Sequence, residues 1–187
     1  MNIHDIIKSI YKLPLPSLAT LTRSVSEVGY PKCFHLFREN RKEAKSYFIK
    51  EGIVRAYANK KEKEVTFWFG QEGDAIFPLQ TLFAGLEEYA SIELLEDSIL
   101  YEIDLKRLRD LYLTAIHIAN WGRKFAEYTC IKSEQLFIAR QFKTPTEMYK
   151  ELLTECPDII QRVPLGIVAS YLGISQVSLS RIRAKIR

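Results

Sequence analysis

The chain has 187 residues, 47% hydrophobic, 27% charged and 12% aromatic. That suits one medium or two small domains with a real core, and it is too apolar and too balanced in charge for a disordered chain. No apolar run approaches the ~18 residues of a membrane span, and the opening MNIHDIIKSIYK carries an early acid and no long apolar stretch. Neither a spanning helix nor a secretory leader is expected, so the reading is a cytoplasmic protein with no membrane partner.

The net charge of +4 is unevenly spread. Arg162, Arg181, Arg183, Lys185 and Arg187 give the last 26 residues +5 with no acid, and the rest of the chain carries −1. The three cysteines (Cys33, Cys130, Cys156) and three histidines (His4, His35, His117) are scattered. No CxxC or zinc-type spacing occurs, which argues against a disulfide framework or a metal site and for reduced, mostly buried thiols. No Ser-His-Asp or Cys-His pairing, GxSxG elbow, Walker loop or GxGxxG is present.

In chain order, Ile3, Ile6, Ile7 and Ile10 predict a short helix, and Pro16 with SLATLTRSV a second. From about residue 29 to 105 the pattern turns to strands. Tyr47-Phe48-Ile49 and Ile53–Tyr57 flank a turn at Glu51-Gly52. Asn59–Lys63 reads as a charged hairpin tip, and Val65, Phe67 and Phe69 alternate with Thr66 and Trp68. Ser91–Leu95 and Ser98–Ile103 add two more strands. Short strands with turns at this spacing predict a small antiparallel sandwich or barrel.

Beyond residue 105 the pattern is helical. Asp104 reads as an N-cap. Leu111, Ala115, Ile118, Gly122, Phe125, Thr129, Lys132, Leu136 and Ala139 then recur at spacings of four and three, a heptad seam with Lys132 as its flaw. The expectation is one helix over about 105–140, with one face on its own barrel and the seam on a second subunit through Ile118, Gly122, Phe125, Thr129 and Leu136. A helix packed only on its own barrel is the alternative. Phe142-Lys143-Thr144-Pro145 breaks the pattern, so residues 1–142 and 143–187 are read as two domains. Thr144 or Thr146 caps the helix that follows.

The stretch Val163–Lys185 reads as two short helices around a tight turn. Counted from Leu165, a helix-turn-helix needs apolar residues at its fourth, eighth, tenth, fifteenth and eighteenth places, a small fifth and a glycine ninth. Those places hold Val168, Leu172, Ile174, Leu179, Ile182, Ala169 and Gly173. Ser175 reads as the cap of the second helix, whose N-terminal half would enter a major groove. Gln176 suits adenine and Arg181 suits guanine. Ser175, Ser178 and Ser180 can reach bases or phosphates, and Arg183 and Lys185 sit where a DNA backbone would lie.

The order of a strand-rich domain, a seam helix and a helix-turn-helix resembles the Crp/Fnr family of bacterial transcription regulators. YFIKEGIVRAY (47–57), EVTFWFGQEGDAI (64–76), IELLEDSILYEID (92–104) and PLGIVASYLGISQVSLSRIR (164–183) carry the likeness, which covers nearly the whole chain. The resemblance implies an α+β fold: a cyclic-nucleotide-binding-like β-roll of jelly-roll type with flanking helices, a dimerisation helix and a DNA-binding domain. It further implies a homodimer on a palindromic operator in double-stranded DNA, with RNA polymerase as a further partner.

Departures from the family pattern sharpen the expectation. The glycine-rich part of the effector pocket is Gly70-Gln71-Glu72-Gly73-Asp74, and the family's Arg-Ser place falls on Glu88-Tyr89. Gly70, Glu72, Gly73, Asp74, Glu88, Tyr89 and Thr129 are the candidate pocket residues. A carboxylate replaces the guanidinium that would pair with a phosphate, so cAMP is not expected to bind in the family's usual way. No cofactor is expected, since no cysteine precedes Cys33 to hold an iron–sulfur cluster. Of the family's recognition-helix pattern only the late Arg181 is kept, so the operator should differ. The chain stops after this helix, so the family's β-hairpin wing is expected to be missing or truncated. Two competing readings remain: a sensing or interaction module of the same fold that no longer binds DNA, and a cupin-like metal enzyme. The enzyme needs His and carboxylates clustered on strands, where only His35 falls.

Overall fold

The computed structural model describes residues 1–60 and 63–186. The Lys61-Glu62 part of the expected hairpin tip, and Arg187, lie outside the described residues.

Helix α1 (Ile3–Ile10) starts at Asn2, whose side-chain oxygen accepts the Asp5 N–H at 2.9 Å. Helix α2 (Leu15–Thr22) carries Pro16 in its first turn, where a missing N–H costs nothing. The strands are β1 (Ser26–Tyr30), β2 (His35–Phe37), β3 (Lys45–Glu51), β4 (Val54–Lys60), β5 (Lys63–Gly70), β6 (Ala75–Ile76), β7 (Ser91–Leu94) and β8 (Ser98–Asp104). A π turn at Gln80–Ala84 separates β6 from β7. Two four-stranded antiparallel sheets result, in the orders β1-β8-β3-β6 and β2-β7-β4-β5. Leu36, Ile49, Val54, Ile76, Leu94 and Leu100 form a cluster that draws on both sheets and fills the roll.

Five helices follow α3 (Leu105–Thr114): α4 (Ile116–Phe142), α5 (Pro145–Glu155), α6 (Pro157–Arg162), α7 (Leu165–Tyr171) and α8 (Gln176–Ile186). Asp104 caps α3 by accepting the Arg107 N–H at 3.0 Å, and Thr144 caps α5 in a reciprocal capping box with Glu147. Helices α1–α4 cover one face of the roll. Ile6, Ile7, Leu21, Phe48, Ile103, Leu108, Ile118 and Trp121 share that cluster. Trp121 is fully buried and donates its indole N–H to the Ile7 carbonyl at 3.0 Å.

The helix expected over 105–140 is two helices, broken at Ala115, which is extended (φ −132°, ψ 95°). The break lets α3 fold back on α4. Positions ten apart in a straight helix lie about 15 Å apart, yet the Tyr112 ring stands 2.6–2.7 Å from where a Cβ at Gly122 would be. Gly122 is thus a contact within the chain. Ile118 and Phe125 are buried in the same core, so the expected subunit seam of Ile118, Gly122 and Phe125 is the face that α4 turns to its own fold. The exposed apolar residues of α4 are Ile116, Tyr128, Ile131, Phe137, Ile138 and Phe142.

Two further expectations change. Thr66 is buried and Val65 exposed, because the β4–β5 register slips at Phe67 and moves the alternation by one. Cys33 and Cys130 are exposed and Cys156 half-buried, so the thiols are free but not core residues.

Replacing Trp121 by alanine is expected to cost about 3–5 kcal/mol. Leu113→Ala, at a site 86% exposed, should stay within about 0.5 kcal/mol. Urea denaturation of both variants checks the pair.

Candidate nucleic-acid interface and junction cavity

Helices α7 and α8 meet at 95°, inside the ~90–120° range of helix-turn-helix pairs. Gly173 makes the turn at φ +70°, a conformation that disfavours a side chain. Ser175 caps α8 by accepting the Ser178 N–H at 3.1 Å. Val168, Ala169, Leu172 and Leu179 are buried together, with Ile174 and Ile182 packed against them. Six of the seven template places therefore meet in one core, and the seventh, Gly173, makes the exposed turn between the helices.

The polar residues of α8 divide by what they already hold. The Ser175 and Ser178 hydroxyls lie 3.0 Å apart within the cap, and Ser180 donates to the Gln176 carbonyl at 3.0 Å. Gln176, Arg181 and Lys185 are exposed and Arg183 is half-buried. Among the described residues these four side chains make no hydrogen bond or ion pair with protein. Together they leave one cationic, uncommitted stretch of helix.

This unit is docked on the roll. Strand β5 is an edge strand, and Ser170 on α7 reaches it. The Thr66 N–H donates to the Ser170 hydroxyl at 3.0 Å, and that hydroxyl donates to the Glu64 carbonyl at 2.9 Å. Arg162 donates to Glu72 at 2.8 Å and also to Glu96. Arg140 on α4 donates to the Tyr171 carbonyl at 3.2 Å and stacks over its ring, which also meets Phe69. Ile53 and Leu95 of the roll join the apolar cluster of α5–α8. Sequence reasoning missed this set. Arg162 counted only as charge, and a serine on a helix carries no mark of its strand partner.

A cavity of about 790 Å³ lies at the junction of roll, α4 and α5–α7. Of the candidate pocket residues, Gly73, Asp74, Glu88, Tyr89 and Thr129 line it. Gly70 and Glu72 do not. Gly70 lies beneath Trp68 and Val54, where any Cβ would collide. Glu72 turns away to accept the Gly52 N–H at 2.9 Å and the Arg162 guanidinium. Phe125, Thr129, Lys132 and Leu136 give the α4 wall, so the odd lysine of the seam faces the cavity. Glu88 is buried, and its carboxylate accepts the Thr81 N–H of the π turn at 2.8 Å. Burial pushes the Asp74 carboxyl up, against the Gln71 N–H that donates to it at 2.8 Å.

Burial alone would raise Glu72, but Arg162 and the Gly52 N–H outweigh it and hold the carboxyl at about 2. A carboxyl lowered on folding stabilises fully above its unfolded value and loses that contribution as pH falls towards its folded one. The docking should therefore hold at neutral pH and weaken between about 4.5 and 2. At neutral pH, Ser170→Ala should raise the exchange rate of the Thr66 amide and leave amides in β3 unchanged. Amide hydrogen exchange reads both effects.

Residues 27–115 match the cyclic nucleotide-binding domain family. No curated protein matches the sequence. Solved structures share the fold across both parts of the chain. A protein of Eubacterium rectale described as a Crp/Fnr-family transcriptional regulator is 15% identical with a TM-score of 0.74, covering 92% of this chain and 83% of its own. The c-di-GMP-responsive global regulator CLP of Xanthomonas campestris is 16% identical with a TM-score of 0.68, covering 92% and 91%. FixK2 of Bradyrhizobium japonicum is 16% identical with a TM-score of 0.68, covering 87% and 84%. Residues 27–115 thus match the cyclic nucleotide-binding domain family, and the chain as a whole shares the fold of these solved regulators.

Proposed function

We propose that the chain is a dimeric, sequence-specific DNA-binding transcription regulator of the Crp/Fnr type that does not respond to cAMP. The observation that carries this reading is α8. It sits at a helix-turn-helix angle and presents Gln176, Arg181, Arg183 and Lys185, whose side chains bond no protein group among the described residues. In the major groove Gln176 pairs with adenine and Arg181 with guanine, each through two hydrogen bonds. Arg183 and Lys185, further along the helix, neutralise phosphates, and the serines at the start of α8 support the approach.

Dimerisation uses the outer face of α4. Ile131, Ile138 and Phe142 are exposed at spacings of seven and four, which puts them along one side of the helix. Thr129 and Leu136 stay with the cavity. Two α8 helices related by a two-fold read a palindromic operator. RNA polymerase is the further partner of a promoter-bound dimer.

The cAMP reading rests on Glu88. Counted back along the sequence from Tyr101-Glu102-Ile103, Glu88 falls at the place where family members that bind cyclic nucleotides carry an arginine, and its carboxylate is buried. A cyclic phosphate would meet a like charge in a shielded pocket. Titration calorimetry of the whole chain should show no binding of cAMP or cGMP, and micromolar affinity for either would contradict this.

Selection from genomic DNA should recover a palindrome. On that site Arg181→Ala should cost about 1–3 kcal/mol and relax one base pair per half-site. Lys185→Ala should weaken all sequences alike and lower the salt slope by about one. Equal losses on selected and scrambled duplexes for Arg181→Ala would remove its base-reading role.

A further inference from the structure

The junction cavity is chemically distinct from a pocket for an anion. Its volume of about 790 Å³ is within the range of small-molecule sites. Its walls are aromatic: Phe67 and Phe69 from β5, Tyr89 from the segment before β7, Phe125 and Tyr128 from α4, and Tyr171 from α7. Such faces hold flat rings and attract cations.

The charges in the walls point the same way. Asp74, Glu88, Glu151 and Glu155 face Lys132 and Lys143. Lys143 is taken up by Glu151, with both carboxylate oxygens within 2.7 Å. That leaves Asp74, Glu88 and Glu155 against Lys132, whose ammonium lies 5.7 Å from the centre of the Tyr128 ring. Asp74 and Glu88 are anchored by backbone N–H groups and form no ion pair among the described residues. Lys132 acts on Asp74 across the cavity, but one lysine does not balance the shielded Asp74 and Glu88 carboxylates, so a positive group entering here relieves them and a negative one adds to the cost. The Thr81 N–H, a donor an anion could have used, is already held by Glu88.

We propose that this cavity binds a flat aromatic molecule carrying an ammonium group, and holds it against the β-roll and the helix-turn-helix unit together. The inference rests on reading the cavity as the effector site of the regulator proposed above. The far wall, with Met148, Leu152 and Tyr171, belongs to the same unit as α8. The occupant therefore touches both parts of the chain directly. Tyr171 is also the residue held by Arg140 in the docking, so the ligand reaches the contacts that hold the unit on β5.

Three naphthalene probes of one shape and different charge test this on the full chain by titration calorimetry. They are 1-naphthylmethylamine, 1-naphthylmethanol and 1-naphthoate. The amine should bind at least tenfold tighter than the alcohol, and the carboxylate should bind weakest. Asp74→Asn and Glu155→Gln should each cut the advantage of amine over alcohol several-fold while leaving the alcohol's affinity within twofold. Glu88→Gln adds a third reading where it folds, since Glu88 also holds the π turn.

An amine no tighter than the alcohol, a carboxylate equal to the amine, or no binding of any probe at millimolar concentration would overturn the proposal. DNA selection is scored separately on the same preparations. A failed charge order with an operator recovered removes the ligand inference alone. A correct charge order with no operator recovered removes the regulator reading and leaves the cavity's chemistry standing.

Discussion

Strand β5 is the open edge of its sheet, and an edge strand presents backbone groups that need partners. The Ser170 hydroxyl satisfies two of them, accepting from the Thr66 N–H and donating to the Glu64 carbonyl. That small exchange fixes where α7 lies, and α7 fixes α8 through the core of Val168, Ala169, Leu172 and Leu179. Because α7 sits on β5, Tyr171 faces Phe69 and closes one side of the junction cavity. The Arg162 pairs with Glu72 and Glu96 hold the adjoining helix to the roll. Each of those pairs is partly exposed and adds little alone. The apolar contacts of Ile53 and Leu95 do more, since they place roll residues inside the core of the α5–α8 unit.

Charge is separated along the same geometry. Of the excess cations, Arg162 is paired with Glu72 and Glu96, whereas Arg181, Arg183 and Lys185 lie on α8 with no ion pair among the described residues. The carboxylates Asp74 and Glu88 sit inside, each tied to a backbone N–H. A fold associated with anionic nucleotides thus has a negative interior and a positive exterior helix. The proposed ligands follow that separation, DNA outside and an ammonium compound within.

The helix-turn-helix was fully legible in the sequence. Its constraints are local, since seven places within eighteen residues must pack two short helices and turn between them. The Asp104 cap and a threonine cap at 144 or 146 were legible for the same reason: side chain and backbone partner lie three residues apart. The strands were legible in position but not in facing, because one slipped residue at Phe67 inverts the alternation that exposes Val65 and buries Thr66. Tertiary partners were illegible. The heptad seam is a buried stripe only from Ile118 to Phe125, with Thr129 and Leu136 half-buried and Lys132 exposed beyond it, and a stripe does not say what covers it. Here Tyr112 and the core of α1–α3 cover Ile118, Gly122 and Phe125, leaving Ile131 and Ile138 outside. Of the pocket residues, Gly73, Asp74, Glu88, Tyr89 and Thr129 come together. Glu72 is drawn off by an arginine 90 positions away, which no local pattern announces.

The central claim is that two copies of α8 read one duplex. A hydroxyl-radical footprint of the full chain on its selected operator tests it most directly. Two protected patches are expected, related by a dyad and one helical turn apart, about 34–36 Å between centres. A single patch, or even protection that follows no dyad, would contradict the dimeric helix-turn-helix reading.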